Sequence, residues 1–477
     1  LSASAPIASL RQALGVEAVR DDIAERIAYS YDNSRMQALP EAVVFAHSHD
    51  EVVKVVHTCR EARTPLVVRG RGTNTTGASV PTEGGIVLSL EGMQRILDYR
   101  PADRLLVCEA GTLNGAVQEQ AAADGLFWAP DPTSTGYSTV GGNIACGAGG
   151  PRAVKYGTTR EALLGLRAVD GHGETLICGC RTSKGVVGYD LTRLLVGSEG
   201  TLAIVTEATL RLLPRPSARR DMRAAFSDVN SAAAAVTRIM GQAAIPCALE
   251  LMDEQCVALA QAHTPLDLPA GTGALLLLSA DGDEASIANE IAAIARAAEG
   301  DGLLEWRAAA DEADAASVWG ARKALSPALR SLAPKKINED VAVPVSRLAE
   351  LLAGLREQSA RHGLQIVNFG HAGNGNIHVN ILADPDDPSQ MAAIDACLDA
   401  VFTLVLSLGG TLSGEHGVGV AKRDFVAREI DATTLARMRD IKRLFDPDGI
   451  LNPGKTLPAA PGGKVIARQA TDHTDRD

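Results

Sequence analysis

The 477-residue chain carries a formal net charge of −12 and no basic run, which argues against nucleic acid as a partner. Aromatic residues make up only 3% of the chain, a poor provision for base stacking, and no run of about 18 uninterrupted apolar residues announces a transmembrane helix. With 46% hydrophobic and 22% charged residues the composition is that of a globular protein, and the length calls for two or three domains. The start, Leu1-Ser-Ala-Ser-Ala-Pro6, has no basic segment followed by an apolar one, so no signal peptide is expected, while a segment ahead of Leu1 is left open. Eight scattered cysteines without a CxxC pair fit reduced thiols rather than a disulfide framework or an iron–sulfur site. A cytoplasmic location, or one peripheral to a membrane, is the expectation.

Two helical stretches open the chain, Ala8–Gly15 and Asp21–Tyr29. A β-α-β rhythm follows: apolar Ala42-Val-Val-Phe45, a helix-spaced run from Asp50 to Arg60, then Leu66-Val-Val-Arg69. It delivers the chain into Arg69-Gly-Arg-Gly-Thr-Asn-Thr-Thr-Gly77. Consecutive amides, hydroxyls and arginine in that loop suit a pyrophosphate. Its spacing is neither GxGxxG nor GxxxxGK[ST], so a Rossmann or P-loop reading fails, and alone it serves equally as an ordinary glycine-rich hairpin. Strands at Gly85–Leu90 and Leu105–Gly111 and a helix over Leu113–Asp124 come next. Pro130–Gly150 then gathers glycine, serine and threonine over a length too great for a plain connector, and its interleaved Tyr137, Val140 and Ile144 argue against a floppy linker. Strands near 166–170 and 176–178 lead to Val196-Gly-Ser-Glu-Gly-Thr-Leu-Ala-Ile-Val205 and on to Pro214.

The order of these three blocks resembles the flavin-binding half of the vanillyl-alcohol oxidase superfamily. Within it the chain is similar, from about residue 40 to 457, to the FAD-linked D-2-hydroxyacid dehydrogenases: D-lactate dehydrogenase, the glycolate oxidase flavin subunit and D-2-hydroxyglutarate dehydrogenase. The resemblance implies an α+β fold, with a two-subdomain FAD-binding (PCMH-type) domain over residues 1–217 and a ferredoxin-like α+β cap over 218–412. A C-terminal helical segment, 413–457, would return to the flavin domain, and 458–477 would be a disordered tail. Arg71, Gly72, Thr73, Asn74, Thr75 and Gly77 would cradle the FAD pyrophosphate. Pro132, Thr133, Gly136, Ser138, Thr139, Gly142, Asn143, Ala145 and Gly149 would line the way from phosphates to flavin. Glu199, Gly200 and Ile204 would pack near the adenine or the ribityl chain, and Asn452 would reach the cofactor from the returning segment. Some superfamily members bond flavin through a histidine in the first glycine loop; Arg69–Gly77 holds none, so non-covalent FAD is expected.

After Pro214 alanine-rich helices alternate with short strands: 224–226, a helix near 228–241, 248–252, 274–279, and a helix over 283–299. That rhythm predicts an antiparallel sheet with helices on one face. The helical spacing of Trp319–Ser326 places Arg322 and Ser326 on one side, at i and i+4. A guanidinium matches a carboxylate with a planar two-bond fork, and the resemblance implies that Arg322 and Ser326 hold the substrate carboxylate. The family's substrate lysine aligns at Asn338; Lys336 lies two residues earlier on the same strand face and is the substitute candidate.

Asn368-Phe-Gly-His-Ala-Gly-Asn-Gly-Asn-Ile-His-Val-Asn380 reads as strand, glycine turn, strand, which lets His371 and His378 meet at the mouth of a hairpin. With Ser413-Gly-Glu-His-Gly417 the chain supplies imidazoles and a carboxylate, a ligand set for zinc, manganese or another divalent metal. Paired histidines beside a tight turn also serve as ordinary hydrogen-bonded groups. The resemblance implies His371, His378 and Glu415 as metal ligands, Asn380 as a substrate contact and His416 as the general base. A 2-hydroxy acid offers a carboxylate oxygen and a hydroxyl oxygen to one cation. Metal binding acidifies the hydroxyl, His416 takes its proton, and hydride passes from the carbon to flavin N5, leaving the 2-keto acid. D-lactate is the favoured substrate, with D-2-hydroxyglutarate and glycolate as alternatives. A quinone, a cytochrome or an electron-transfer flavoprotein would take the electrons, and a homodimer is the default assembly. A metal-dependent hydrolase or a non-catalytic FAD-carrying subunit are the competing classes; the first leaves residues 69–150 without a role.

Overall fold

The computed structural model describes residues 5–263 and 266–459; residues 460–477 of the expected tail lie outside the described residues. Three large sheets and one two-stranded pairing, Leu126–Phe127 with Leu213–Pro214, make up the strands of the described residues. The first has strand order Val19–Arg20, Ala42–Phe45, Ile86–Ser89, Leu66–Arg69, and its last three strands are parallel. The crossover helix His49–Glu61 starts at Ser48, whose Oγ accepts from the Glu51 N–H at 3.3 Å, with Asp50 and Glu51 favourably placed in the first turn. Val52, Val55, Val56 and Cys59, at i, i+3, i+4 and i+7, are buried against this sheet. Leu66–Arg69 therefore ends where the first glycine loop begins.

The second sheet is antiparallel, in the order Ile96–Arg100, Leu105–Glu109, Ala203–Arg211, Leu163–Asp170, Thr175–Gly179. Beside it the 130–150 stretch folds into a short helix, Val140–Cys146. Thr139 Oγ1 caps it by accepting from the Gly142 N–H at 3.1 Å, and Val140 and Ile144 are buried in the core under the sheet. Those two apolar residues anchor an otherwise polar stretch, which leaves its backbone turned to the seam between the sheets.

Seven antiparallel strands make the third sheet, in the order Leu303–Ala308, Ala218–Phe226, Ala274–Gly282, Ala248–Met252, Gln365–His371, Asn376–Ala383, Lys335–Ala342. Ala224, Leu276, Leu278, Ile366, Val379 and Ile381 pack under Val229–Met240, Ile287–Ala298, Leu348–His362 and Pro388–Ser407. Their neighbours along the strands, Ala225, Leu275, Leu277, Val367, Phe369 and Leu382, face the other way, toward Glu254–His263 and Glu312–Ala328. The expectation of helices on one face alone is corrected here. Ala274–Gly282 is buried at every position but its last, so it needs cover on both sides. The second face, only partly covered, is the one that turns toward the flavin half.

Pro388–Ser407 is, among the described residues, the one helix long and apolar enough to cross a membrane. Its Ile394, Cys397, Leu398, Val401, Phe402 and Val405 enter the core, which accounts for that apolarity. The last helix, Ala432–Phe445, is capped by Asp431 and carries the chain back to the first sheet. There the Leu66 N–H donates to Ile450 O at 2.8 Å and the Asn452 N–H to Leu66 O at 2.8 Å.

Candidate active site

A cavity of about 670 Å³ runs along the seam between the flavin half and the second face of the seven-stranded sheet. One end is walled by Gly70–Thr75, Pro132–Thr135, Thr139, Gly141–Asn143 and Ser198–Gly200, and the other by Arg322, His371, His378, Glu415 and His416. The hairpin geometry explains how the histidines meet. Phe369 and His378 are cross-strand partners, and His371 lies two residues beyond Phe369, so all three side chains share a face. The turn demands glycine at 375: φ is +68°, and a Cβ there would sit 1.9 Å from Val343 O.

His371 Nε2 is 3.0 Å from Glu415 Oε1, and His378 Nε2 is 3.8 Å from the same oxygen. One donor atom from each of His371, His378 and Glu415 lies within 4.8 Å of the other two. Glu415 Oε2 accepts from the Gly150 N–H at 2.7 Å, so the flavin half fixes this carboxylate from across the seam. His416 stacks on His378 at 5.2 Å between centroids, with its Nδ1 3.4 Å from Asp340 Oδ1. Asp340 is fully buried. Its Oδ2 accepts from the Glu415 N–H at 2.6 Å and the His416 N–H at 2.9 Å, and it pairs with buried Lys422. Behind the cluster stands Glu250, also buried. Its Oε1 meets His371 Nδ1 at 2.5 Å, and its Oε2 accepts from Arg322 Nη2 at 2.6 Å. The Arg322 guanidinium also lies 4.4 Å over the Phe369 ring.

Charge in the cluster is set by these contacts. Burial, followed by the neighbouring His416 and His371 imidazoles, pushes His378 down to about 3, which keeps it neutral with a lone pair available. Burial opposes charge on His371 too, but Glu250 and Glu415 outweigh it and raise that imidazole well above its ordinary range. Against the burial that would raise them, Glu415 is held well below the usual carboxylate range by His371 and His378, and Glu250 by His371 and Arg322. Two carboxylates thus stay ionised in a buried site.

Most of the residues singled out in the sequence meet at this cavity. Arg71, Gly72, Thr73, Asn74 and Thr75 line it, as do Pro132, Thr133, Thr139, Gly142, Asn143, Ala145, Gly149, Glu199, Gly200, Arg322 and Ser326. Several do not. Gly77 closes its loop against Met36, Ser138 is buried, and Ile204 belongs to the apolar core under the first sheet. Gly136 lies outside the lining. Asn452 ties the returning chain down, its Nδ2 donating to Ala78 O at 2.8 Å and Glu199 O at 2.6 Å. Lys336 Nζ is turned to Ser326, donating to its Oγ at 2.9 Å, and Asn380 Nδ2 donates to the backbone carbonyls of Val367 and His378. Glu199 borders the cavity, but its carboxylate accepts from the Val418 and Gly419 N–H groups and from Thr456 Oγ1. Glu250 and Asp340 were not singled out in the sequence. Each sits within a strand, Ala248–Met252 and Lys335–Ala342, with no local spacing to mark it.

The residues fit the groups that such a cavity would take. Asn143 Nδ2 and Thr75 Oγ1 are buried at its glycine-rich end without hydrogen-bond partners, as donors and acceptors for an elongated polar ligand would be. At the other end two imidazoles and a carboxylate supply a mixed N/O donor set suited to zinc or manganese.

Residues 40–179 match the family described as FAD binding domain, and residues 215–456 the family described as FAD linked oxidases, C-terminal domain. The chain is similar to glycolate oxidase subunit GlcD of Bacillus subtilis (strain 168), 35% identical over 461 residues that cover 96% of this chain and 98% of that protein. It is similar also to D-lactate dehydrogenase of Anaerostipes hadrus, 33% identical over 92% of this chain and 94% of that protein. Among solved structures, p-cresol methylhydroxylase with substrate bound shares the fold: TM-score 0.80 at 17% identity, over 95% of this chain and 96% of that one.

Proposed function

The chain belongs to the FAD-linked oxidases, an oxidoreductase family with a flavin-binding half, and on that premise we propose that it oxidises a small D-2-hydroxy acid, D-lactate foremost, to the 2-keto acid. The observation that carries this reading is the meeting, at one end of the cavity, of an arginine with a His–His–Glu cluster. A 2-hydroxy acid needs both: a cation for its carboxylate and a means of acidifying its hydroxyl. Names of the relatives, glycolate oxidase subunit and D-lactate dehydrogenase, point to the same substrate class.

In this reading Arg322 orients the carboxylate. Glu250 uses one of its five donors, and its Nε is a buried donor without a partner. His371, His378 and Glu415 would hold a divalent cation, and His416 is placed to receive the hydroxyl proton, its imidazole flanked by Asp340 and stacked on His378. FAD held along the glycine-rich wall would supply the acceptor for the C2 hydride, and a cation at the cluster would supply the Lewis acidity that favours the ionised hydroxyl. The Gly150–Glu415 hydrogen bond ties the flavin half to the cluster at this end of the cavity. Arg69–Gly77 offers no histidine, so FAD is held non-covalently. The electrons then leave to a quinone, a cytochrome or an electron-transfer flavoprotein. D-2-hydroxyglutarate is served less well than a monoacid, because Lys336, the candidate for a distal carboxylate, is turned to Ser326 and does not line the cavity.

Anaerobic absorbance of the FAD-loaded protein tests this directly, with D-lactate, L-lactate, glycolate and D-2-hydroxyglutarate added separately. Bleaching of the flavin band by D-lactate and not by L-lactate is the expected result. A flavin left oxidised by all four acids would remove the substrate class.

A further inference from the structure

Glu250 lies in a strand, Ala248–Met252, that is buried at every position, and it is the only charged residue there. Its side chain is 1% exposed. An ionised carboxylate in such a place is costly unless its oxygens are matched, and here each oxygen has a separate cationic or N–H partner: Oε1 the His371 Nδ1 at 2.5 Å, Oε2 the Arg322 Nη2 at 2.6 Å. The two partners belong to different tasks. His371 turns its other nitrogen, Nε2, toward Glu415 and His378, whereas Arg322 extends from the helix Glu312–Ala328 that packs on the same sheet face. Among the described residues no other side chain hydrogen-bonds to both.

We propose that Glu250 is a positioning residue that couples two parts of the site, fixing His371 with Nδ1 protonated and Nε2 free to bind a metal, and holding the Arg322 guanidinium where it meets a substrate carboxylate. This rests on the function proposed above. An imidazole that donates from Nδ1 to a carboxylate is held in one tautomer and one ring orientation, and its Nε2 becomes the more basic ligand. The same carboxylate limits the swing of a long side chain that the Phe369 ring steadies from one side only. Glu250 borders the cavity, but both of its oxygens are taken by His371 and Arg322, and it acts through those two partners.

The near-isosteric Glu250→Gln keeps an acceptor for His371 but loses the charge and presents N–H groups to Arg322. On the FAD-loaded protein, competition with a chromophoric chelator should show Zn²⁺ or Mn²⁺ affinity lowered about 10- to 100-fold. With the site saturated by excess metal, anaerobic flavin reduction by D-lactate should remain about tenfold slow, the share that belongs to Arg322. Unchanged metal affinity in Glu250→Gln would overturn the inference. A wild-type protein that binds no divalent metal would instead overturn the function proposed above. Should Glu250→Gln fail to retain FAD, the tautomer of His371 in the Zn²⁺-loaded wild-type protein carries the test, read by long-range ¹H–¹⁵N correlation and assigned by comparison with His371→Ala. Protonated Nδ1 is expected, and a proton on Nε2 would overturn the inference.

Discussion

The two walls of the cavity are built on opposite principles. The flavin half presents backbone: glycines, hydroxyls and amides at Gly70–Thr75, Thr139 and Gly141–Asn143, held by apolar anchors such as Val140 and Ile144 that face away from the cavity. The sheet half presents charge, with Arg322, Glu250, His371, His378 and Glu415 projecting from strands and a helix. Backbone walls tolerate changes of side-chain chemistry but not an added Cβ in the wrong place. Charged walls tolerate small changes of volume but not the loss of a partner, since a buried charge left alone is costly. Gly150 joins the two by donating its N–H to Glu415.

The largest effect should come from the charged wall. His371→Ala removes a ligand from the cluster and the partner of two carboxylates, and flavin reduction by D-lactate should fall at least about a thousandfold while the yellow FAD spectrum is retained. Loss of FAD together with activity would show that the walls are not separable. Arg322→Lys retains the charge but loses the planar fork, and stopped-flow reduction should show kcat/KM for a hydroxy acid lowered about 100-fold. At the joint, Gly150 has φ +112° and a Cβ there would stand 2.5 Å from Asp131 O. Gly150→Ala should therefore cost about 1–3 kcal/mol of stability and weaken both FAD retention and metal affinity, the one substitution to trouble both walls.

The smallest effect is a pH dependence away from the site. Burial pushes the Lys455 ammonium down to about 8, against the nearby Glu83, Glu199 and Asp32 carboxylates. Its folded pKa lies below its unfolded value, so between the two the unfolded chain binds more protons. Lys455 therefore contributes a stability that rises as pH climbs from about 8 toward the unfolded value and a constant cost below about 8. Thermal unfolding of Lys455→Met across pH 7–10 should be flatter than wild type, and an identical slope would remove Lys455 as its source.

The backbone wall was more legible in the sequence than the charged one. Glycine loops advertise themselves by composition over a few consecutive residues, and Arg71–Thr75 and Pro132–Thr133 do line the cavity. His371 and His378 were legible for the same local reason, a glycine turn between two strand patterns. Glu415 needed its resemblance to a family, because the 36 residues between it and His378 include the core helix Pro388–Ser407 and carry no spacing rule. Glu250 and Asp340 were hidden altogether. Glu250 is the lone carboxylate of a buried strand and Asp340 a buried carboxylate beside Glu339 in a half-buried one, and the importance of each comes from partners that are distant in sequence, Arg322 and His371 for Glu250, His416 and Lys422 for Asp340. Asn380 shows the converse: it shares a strand face with His378, yet its amide is absorbed by backbone carbonyls rather than turned into the cavity. Periodicity assigns a face, and the partners on that face decide the role.

The most direct measurement is the rate of anaerobic flavin reduction by D-lactate in FAD-loaded protein before chelation, after chelation and after a divalent metal is restored, with metal content determined at each stage. The expected result is a rate lowered at least about 100-fold when metal is removed and regained when Zn²⁺ or Mn²⁺ is returned, with FAD content constant throughout. An unchanged rate in protein shown to contain no metal would contradict the role assigned to His371, His378 and Glu415.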